Sequence, residues 1–234
     1  MIASSSVGVL IDGSNLTVSN ELLEKYNQPG PRYTSYPTAP EWDDSFNETD
    51  LREVFKEADS KPDPAPVSLY FHLPFCESLC LYCGCNVVIS KNHEVSNLYL
   101  DYLKREIDWT SGEVSSSRQV EQLHWGGGTP TFLSPRQIED LYSHIAARFS
   151  FAVRPEVSIE IDPRVTTDEH MRALRRAGFN RVSLGIQDFN PLVQKTIHRI
   201  QSFADTRKLF DTCRALGFES INVDLIYGLP HQSA

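Results

Sequence analysis

What the chain lacks narrows its class before any motif is read. No apolar run approaches the ~20 residues that span a bilayer, since uncharged stretches such as 7–11 and 67–75 are far shorter. A membrane span is not expected. Basic residues are in the minority: 22 Lys and Arg stand against 31 Asp and Glu, a formal charge of −9, and such a surface is poorly suited to a phosphate backbone. Nucleic acid is not expected as a partner. No Lys or Arg precedes Lys25, so the basic opening of a secretory signal is missing and the cytoplasm is the expected compartment. Five cysteines, an odd count, make a complete disulfide framework unfitting. At 234 residues, against about 150 for a typical domain, the chain can bury a core without staples.

What is present is concentrated. Four of the five cysteines fall in one run, Cys76-Glu-Ser-Leu-Cys80-Leu-Tyr-Cys83-Gly-Cys85. Gaps of three and two residues in a loop can turn three thiolates toward one centre, and soft sulfur ligands select iron–sulfur clusters, zinc or copper(I). The fifth, Cys213, shares a helical apolar face with Phe203, Phe210 and Leu216 and reads as core.

Along the chain, residues 1–20 show no sustained period and are expected to be loosely ordered. Residues 21–66 form an amino-terminal extension with a Pro-rich stretch at 29–37, a short helical pattern at 51–58 and a Pro-rich linker at 61–66. From 67 to 234 strands and helices alternate. Strands are expected at 67–72, 120–125, 157–161, 181–187 and 220–227. The helices between them carry readable ends: Ser134-Pro-Arg-Gln137 is a capping box with a first-turn proline, Thr166 and Glu169 suit another cap, and Gly178 and Gly217 suit helix stops. Repeated βα units imply an α/β fold with a parallel sheet and right-handed crossovers.

The strands alternate where a doubly covered parallel sheet would be continuously apolar. One face collects Val157, Ile159 and Ile161, Val182, Leu184 and Ile186, and Ile221, Val223 and Leu225. The other collects Tyr70, His72, His124, Ser158, Glu160, Asp162, Ser183, Gln187, Asn222 and Asp224. A polar inner face describes a sheet curled into a full or partial barrel around a polar ligand. Chemistry in such barrels gathers at the carboxyl ends of strands, where this chain places its cysteines, Gly126-Gly-Gly-Thr-Pro130, Gln187-Asp188 and Gly228-Leu-Pro230. The glycines would let backbone N–H and C=O groups approach the carboxylate and ammonium of a bound amino acid.

Cys-x3-Cys-x2-Cys after the first strand, Gly-Gly-Gly-Thr-Pro after the second and a polar-lined partial barrel resemble the radical S-adenosylmethionine enzymes. More narrowly, Gly30-Pro-Arg-Tyr-Thr-Ser-Tyr-Pro-Thr38, Tyr70-Phe-His-Leu-Pro-Phe-Cys76, Cys83-Gly-Cys85, Leu123-His-Trp-Gly-Gly-Gly-Thr-Pro-Thr131, Gly185-Ile-Gln-Asp-Phe189 and Asp224-Leu-Ile-Tyr-Gly-Leu-Pro230 resemble the oxygen-independent coproporphyrinogen III oxidase family. The resemblance runs from about residue 21 to 231.

It implies a partial (β/α) barrel and a 4Fe–4S cluster on Cys76, Cys80 and Cys83, with Cys85 not a ligand. It also implies two molecules of S-adenosylmethionine, one at Tyr70, Gly127 and Glu160, the other at Tyr82, Gly128, Thr129, Gln187, Arg199 and Asp224. The implied reaction converts two propionates of coproporphyrinogen III to vinyl groups through a 5'-deoxyadenosyl radical, each with loss of carbon dioxide and one electron, giving protoporphyrinogen IX in haem biosynthesis. An unidentified electron donor and a monomeric full-length enzyme complete the expectation, and Arg32 is a candidate to meet the substrate's carboxylates. Family members continue through a sixth strand and a helical carboxy-terminal domain, so the chain reads as an amino-terminal fragment truncated after strand five. Two other readings stand beside this one: a haem-handling relative without oxidase activity, and a non-catalytic module whose cysteines hold structural zinc.

Overall fold

The computed structural model describes residues 6–11, 14–27 and 38–233. The motif at 30–37, with Arg32, lies outside them. The chain forms two compact units, Met1–Glu48 and Thr49–Ala234.

In the first unit β1 (Ser6–Ile11) pairs antiparallel with β2 (Ser14–Ser19), and α1 (Asn20–Tyr26) follows, its first turn capped by Ser19. Loose order was the expectation for residues 1–20. The pairing Val7↔Val18 and Val9↔Leu16 shows the signal that reading passed over, an alternation of β-branched and apolar residues on both sides of Asp12-Gly13.

Helix α2 (Glu48–Asp59), which the sequence reading placed in the 21–66 extension, belongs from Thr49 onward to the second unit and packs there on the βα region. Phe55 meets Trp109 edge-on, Arg52 pairs with Glu113, and Arg118 Nη1 reaches Asp59 at 3.0 Å. Then follow β3 (Val67–Leu73), β4 (Phe75–Cys76), β5 (Val88–Ile89), α3 (Val95–Glu113), β6 (Val120–Gly127), α4 (Pro135–Ala146), β7 (Phe151–Ile161), α5 (Asp168–Ala177), β8 (Arg181–Gln187), α6 (Pro191–Thr196), α7 (Phe203–Ala215) and β9 (Ser220–Leu225). The main sheet is five-stranded and parallel in the order β3-β6-β7-β8-β9. Spatial order follows chain order with no reversal, as in a barrel wall and unlike a doubly wound sheet.

The alternation read from sequence becomes two faces. Leu123, Trp125, Ile159, Val182 and Leu184 are fully buried against Leu103 and Ile107 of α3, Ile138 and Leu141 of α4, Met171 and Leu174 of α5, and Leu209 and Cys213 of α7. Burial pushes the Cys213 thiol up to about 12, in keeping with its place in the core. At β9 the pattern lapses: Val223 and Leu225 are exposed. Across the other face a polar ladder runs from Ser68–Gln122 through His124–Ser158 at 2.7 Å to Ser183–Asp224 at 2.7 Å.

Several boundaries differ from expectation: β9 ends at Leu225 rather than 227, and β3 and β6 run on to Leu73 and Gly127. Strand β7 starts at Phe151 rather than 157 and carries Pro155 past a register shift, where Val120 pairs Phe151 and Gln122 pairs Glu156. A proline argues against a central strand unless an irregularity takes it up, which is the case here. The α5 cap is Thr167 with His170, one residue later than read, because the Thr166 hydroxyl is engaged with Asp162 O at 2.8 Å and Thr131 at 2.7 Å. Helix α6, capped by Asn190, is too short to show a period.

Candidate active site

The cysteine run leaves β4 and returns through β5, and the parallel β4–β5 pair closes the loop at its base, with Val88 N donating to Pro74 O at 2.6 Å and Ser90 N to Cys76 O at 2.9 Å. Helix α6 supports the loop from behind. Leu81 N donates to Ile197 O at 3.0 Å, and Tyr82 packs on Val193, Ile197 and Leu229. This placement sets the thiols at the carboxyl ends of the strands.

A cavity of about 160 Å³ opens there, lined by Cys76, Cys80, Cys83, Cys85, Tyr82, Gly127, Gly128, Thr129, Glu160, Gln187, Arg199 and Asp224. Every residue that the resemblance assigned to the cluster or to S-adenosylmethionine is among them except Tyr70, whereas Asp188 and Gly228-Leu-Pro230 are not. The Tyr70 side chain stands beside the cavity, its hydroxyl 3.1 Å from His72 Nδ1 and its ring stacked on His124. Burial, then the Glu160 and Cys85 charges, raise its phenol above the ordinary value. Burial likewise raises Tyr82 and Cys76, and pushes Cys85 up to about 11. Both Asp224 oxygens are already engaged, by Ser183 at 2.7 Å and Asn222 at 2.8 Å. Gln187 adopts φ of 67°, a left-handed conformation uncommon for a side-chain-bearing residue.

Two N–H groups at the glycine run are taken up within the protein. The N–H groups of Gly128 and Thr129 donate to Leu73 O at 2.9 Å and Phe75 O at 2.7 Å, so these two donors bind the protein's own backbone. A methyl on Gly128 would lie 2.8 Å from Phe75 O and 3.0 Å from Cys76 Sγ. A methyl on Gly126 would touch Tyr70 and the Glu160 carboxylate at 3.1 and 3.2 Å. The run is small because it is pressed against the start of the cysteine loop.

Sequence reasoning placed Asp162 on the polar face only and passed over Arg164. Both line the same cavity. Asp162 accepts from Arg164 Nε at 3.0 and 3.1 Å, from Arg164 Nη2 at 2.6 Å and from Arg199 Nη1 at 3.0 Å. Burial alone would raise its carboxyl; the Arg164 hydrogen bonds and the two guanidinium charges outweigh that and hold it below the usual range. Arg199 is itself buried and donates to Gly185 O at 2.6 Å, while its Nε has no partner among the described residues. The available signal was Asp162-Pro-Arg164 directly after a strand end.

Four thiols on the wall of one cavity, with two guanidinium donors at Cys80, fit an iron–sulfur cluster carried by cysteine thiolates. Among the described residues no three His, Cys, Asp or Glu side chains converge on a single-ion position. None of the described helices is long and apolar enough to cross a membrane.

Comparison with known proteins agrees with this geometry. Residues 70–234 match the family model of the Radical SAM superfamily, and the chain belongs to that superfamily, whose cofactors are a 4Fe–4S cluster and S-adenosylmethionine. Among curated relatives it is 47% identical over 218 residues to oxygen-independent coproporphyrinogen III oxidase of Helicobacter pylori, covering 93% of this chain and 48% of that protein. The Escherichia coli enzyme of the same name is 44% identical over 212 residues, 91% of this chain and 45% of that one. The solved structure of E. coli coproporphyrinogen III oxidase, a radical SAM enzyme, superposes with a TM-score of 0.82 at 42% identity, covering 92% of this chain and 47% of that one. The chain thus spans about half the length of the relatives it matches.

Proposed function

We propose that this chain provides the cofactor-binding barrel of an oxygen-independent coproporphyrinogen III oxidase, which converts two propionates of coproporphyrinogen III to vinyl groups in haem biosynthesis. The observation that carries the reading is the convergence of the cysteines, the glycine loop and the ends of β7, β8 and β9 on one cavity. Cys76, Cys80 and Cys83 would hold the cluster, while Cys85, more exposed, lines the cavity without ligating. Tyr70, Gly127 and Glu160 would hold one S-adenosylmethionine, and Tyr82, Gly128, Thr129, Gln187, Arg199 and Asp224 a second. When bound, these groups supply an electron and a 5'-deoxyadenosyl radical, which initiates decarboxylation with a further electron passing to an acceptor.

The chain's own residues orient and exclude. The Glu160 carboxylate, within 3.4 Å of His124 Nε2, is available to hold a cationic amine. The bonds that fix Asp224 to Ser183 and Asn222 pre-organise its carboxylate toward a ligand on the polar face. Coproporphyrinogen III is the substrate class, the electron donor is an unidentified reductant, and the setting is the cytoplasm of a cell making haem without oxygen. The full-length enzyme is read as a monomer.

Anaerobic reconstitution with iron and sulfide, followed by electron paramagnetic resonance with and without S-adenosylmethionine, tests this. A 4Fe–4S signal that S-adenosylmethionine perturbs is expected, lost in Cys76→Ala, Cys80→Ala and Cys83→Ala and retained in Cys85→Ala. Equal loss in all four variants, or tight zinc without a cluster, would overturn it.

A further inference from the structure

The three cysteines read as cluster ligands do not have equal surroundings. Cys76 Sγ meets a neutral hydroxyl, Thr129 Oγ1, at 3.4 Å. Cys80 Sγ faces two cations, Arg164 Nη2 at 3.4 Å and Arg199 Nη1 at 3.6 Å. Both guanidiniums are bound to the single carboxylate of Asp162, which leaves one positive charge in excess at the sulfur. Arg164 is the more dedicated of the two. Arg199 is also spent on Gly185 O, whereas the Arg164 hydrogen bonds run to Asp162, to Cys80 and, at 3.5 Å, to Ser78 Oγ of the cysteine loop. Its backbone N–H is fixed too, donating to Asp162 Oδ1 at 3.0 Å.

We propose that Arg164, clamped by Asp162, is a positioning residue that donates an N–H to the Cys80 thiolate and raises the reduction potential of the cluster held there. This rests on the reading that Cys76, Cys80 and Cys83 carry a 4Fe–4S centre. Reduction adds an electron to an already anionic assembly, and a fixed cation at a ligating sulfur stabilises the reduced form more than the oxidised one. Its effect survives because the site is shielded: the Asp162 side chain is 7% exposed and that of Arg164 19%, so solvent screens the charge weakly.

The test is a redox titration of the reconstituted chain, read by electron paramagnetic resonance, for the parent, Arg164→Met and Arg164→Lys. Arg164→Met is expected to hold iron and sulfide and to shift the midpoint to more negative potential by a tenfold change in the reduction equilibrium, about 59 mV for one electron. Arg164→Lys keeps the charge without the planar fork and should shift less. An Arg164→Met midpoint equal to that of the parent, or a more positive one, overturns the inference and reduces Arg164 to a structural tie, which would change stability alone. If Arg164→Met loads no cluster, Arg164→Gln takes its place under the same criteria. A parent chain that gives no cluster signal overturns the cofactor reading and this inference with it, whereas a cluster with an unmoved midpoint overturns this inference only.

Discussion

Gly127 shows how a residue can be important for a reason other than the one its sequence suggests. Its φ of 117° is costly for any side-chain-bearing residue, and an added methyl would lie 2.9 Å from Leu73 N and 3.0 Å from Leu73 O, both backbone atoms that cannot turn aside. Gly127→Ala is therefore expected to destabilise the chain by about 1–3 kcal/mol through strain at this position. Gly126→Ala should cost less, because the atoms nearest its added methyl belong to the Tyr70 and Glu160 side chains rather than to backbone. Urea unfolding separates the two, with a lowered midpoint at unchanged slope for Gly127→Ala. The small-residue run was plain in the sequence, but what presses on it was not, since Leu73 and Phe75 lie far from it along the chain.

Helix α4 illustrates what a local pattern tells about an element and where it stops. The capping box read from Ser134 and Gln137 is present with both of its bonds. Gln137 Nε2 also donates to Ser96 Oγ at 3.0 Å and Asn97 Oδ1 at 2.9 Å, tying α4 to the first turn of α3. Ser134→Ala should cost about 1 kcal/mol, the usual value for a lost cap. Gln137→Ala should lower the melting temperature further, since it removes the cap's second half and both bonds to α3; equal losses would mean the inter-helix bonds contribute nothing. Strand β7 is the opposite case: the sequence reading began it at 157, and the register shift against β6 is what accommodates Pro155 within the longer strand.

For the whole molecule, Asp162 joins the end of β7 to β8 through Arg199 and to the cysteine loop through Arg164. Its folded-state carboxyl is held below the ordinary value of 3.8, so its contribution is fully present above that value and is lost as pH falls through the lower folded one. Asp162→Asn leaves two guanidiniums without their counter-charge and should destabilise the fold by about 3–5 kcal/mol near neutral pH. That gap between variant and parent should narrow in acid below 3.8, which urea unfolding across pH measures. A gap independent of pH would show that the carboxylate charge is not what ties these elements together.

The sequence by itself determined the alternation of the main strands and helices, the buried face of the sheet as far as β8, the α4 capping box, the glycine stop of α5 and the three-thiol loop, because all of these are periodicities or spacings among near neighbours. It also marked the cavity-lining residues through a resemblance that the family match and the 0.82 superposition bear out at the level of fold. Only the tertiary structure decided that Gly128 and Thr129 bond to the protein's own backbone, that α6 carries the cysteine loop, and that Arg164 and Arg199 meet at Cys80. The reason is distance along the chain: residues 80, 162, 164 and 199 become neighbours only when successive parallel strands set their carboxyl ends side by side.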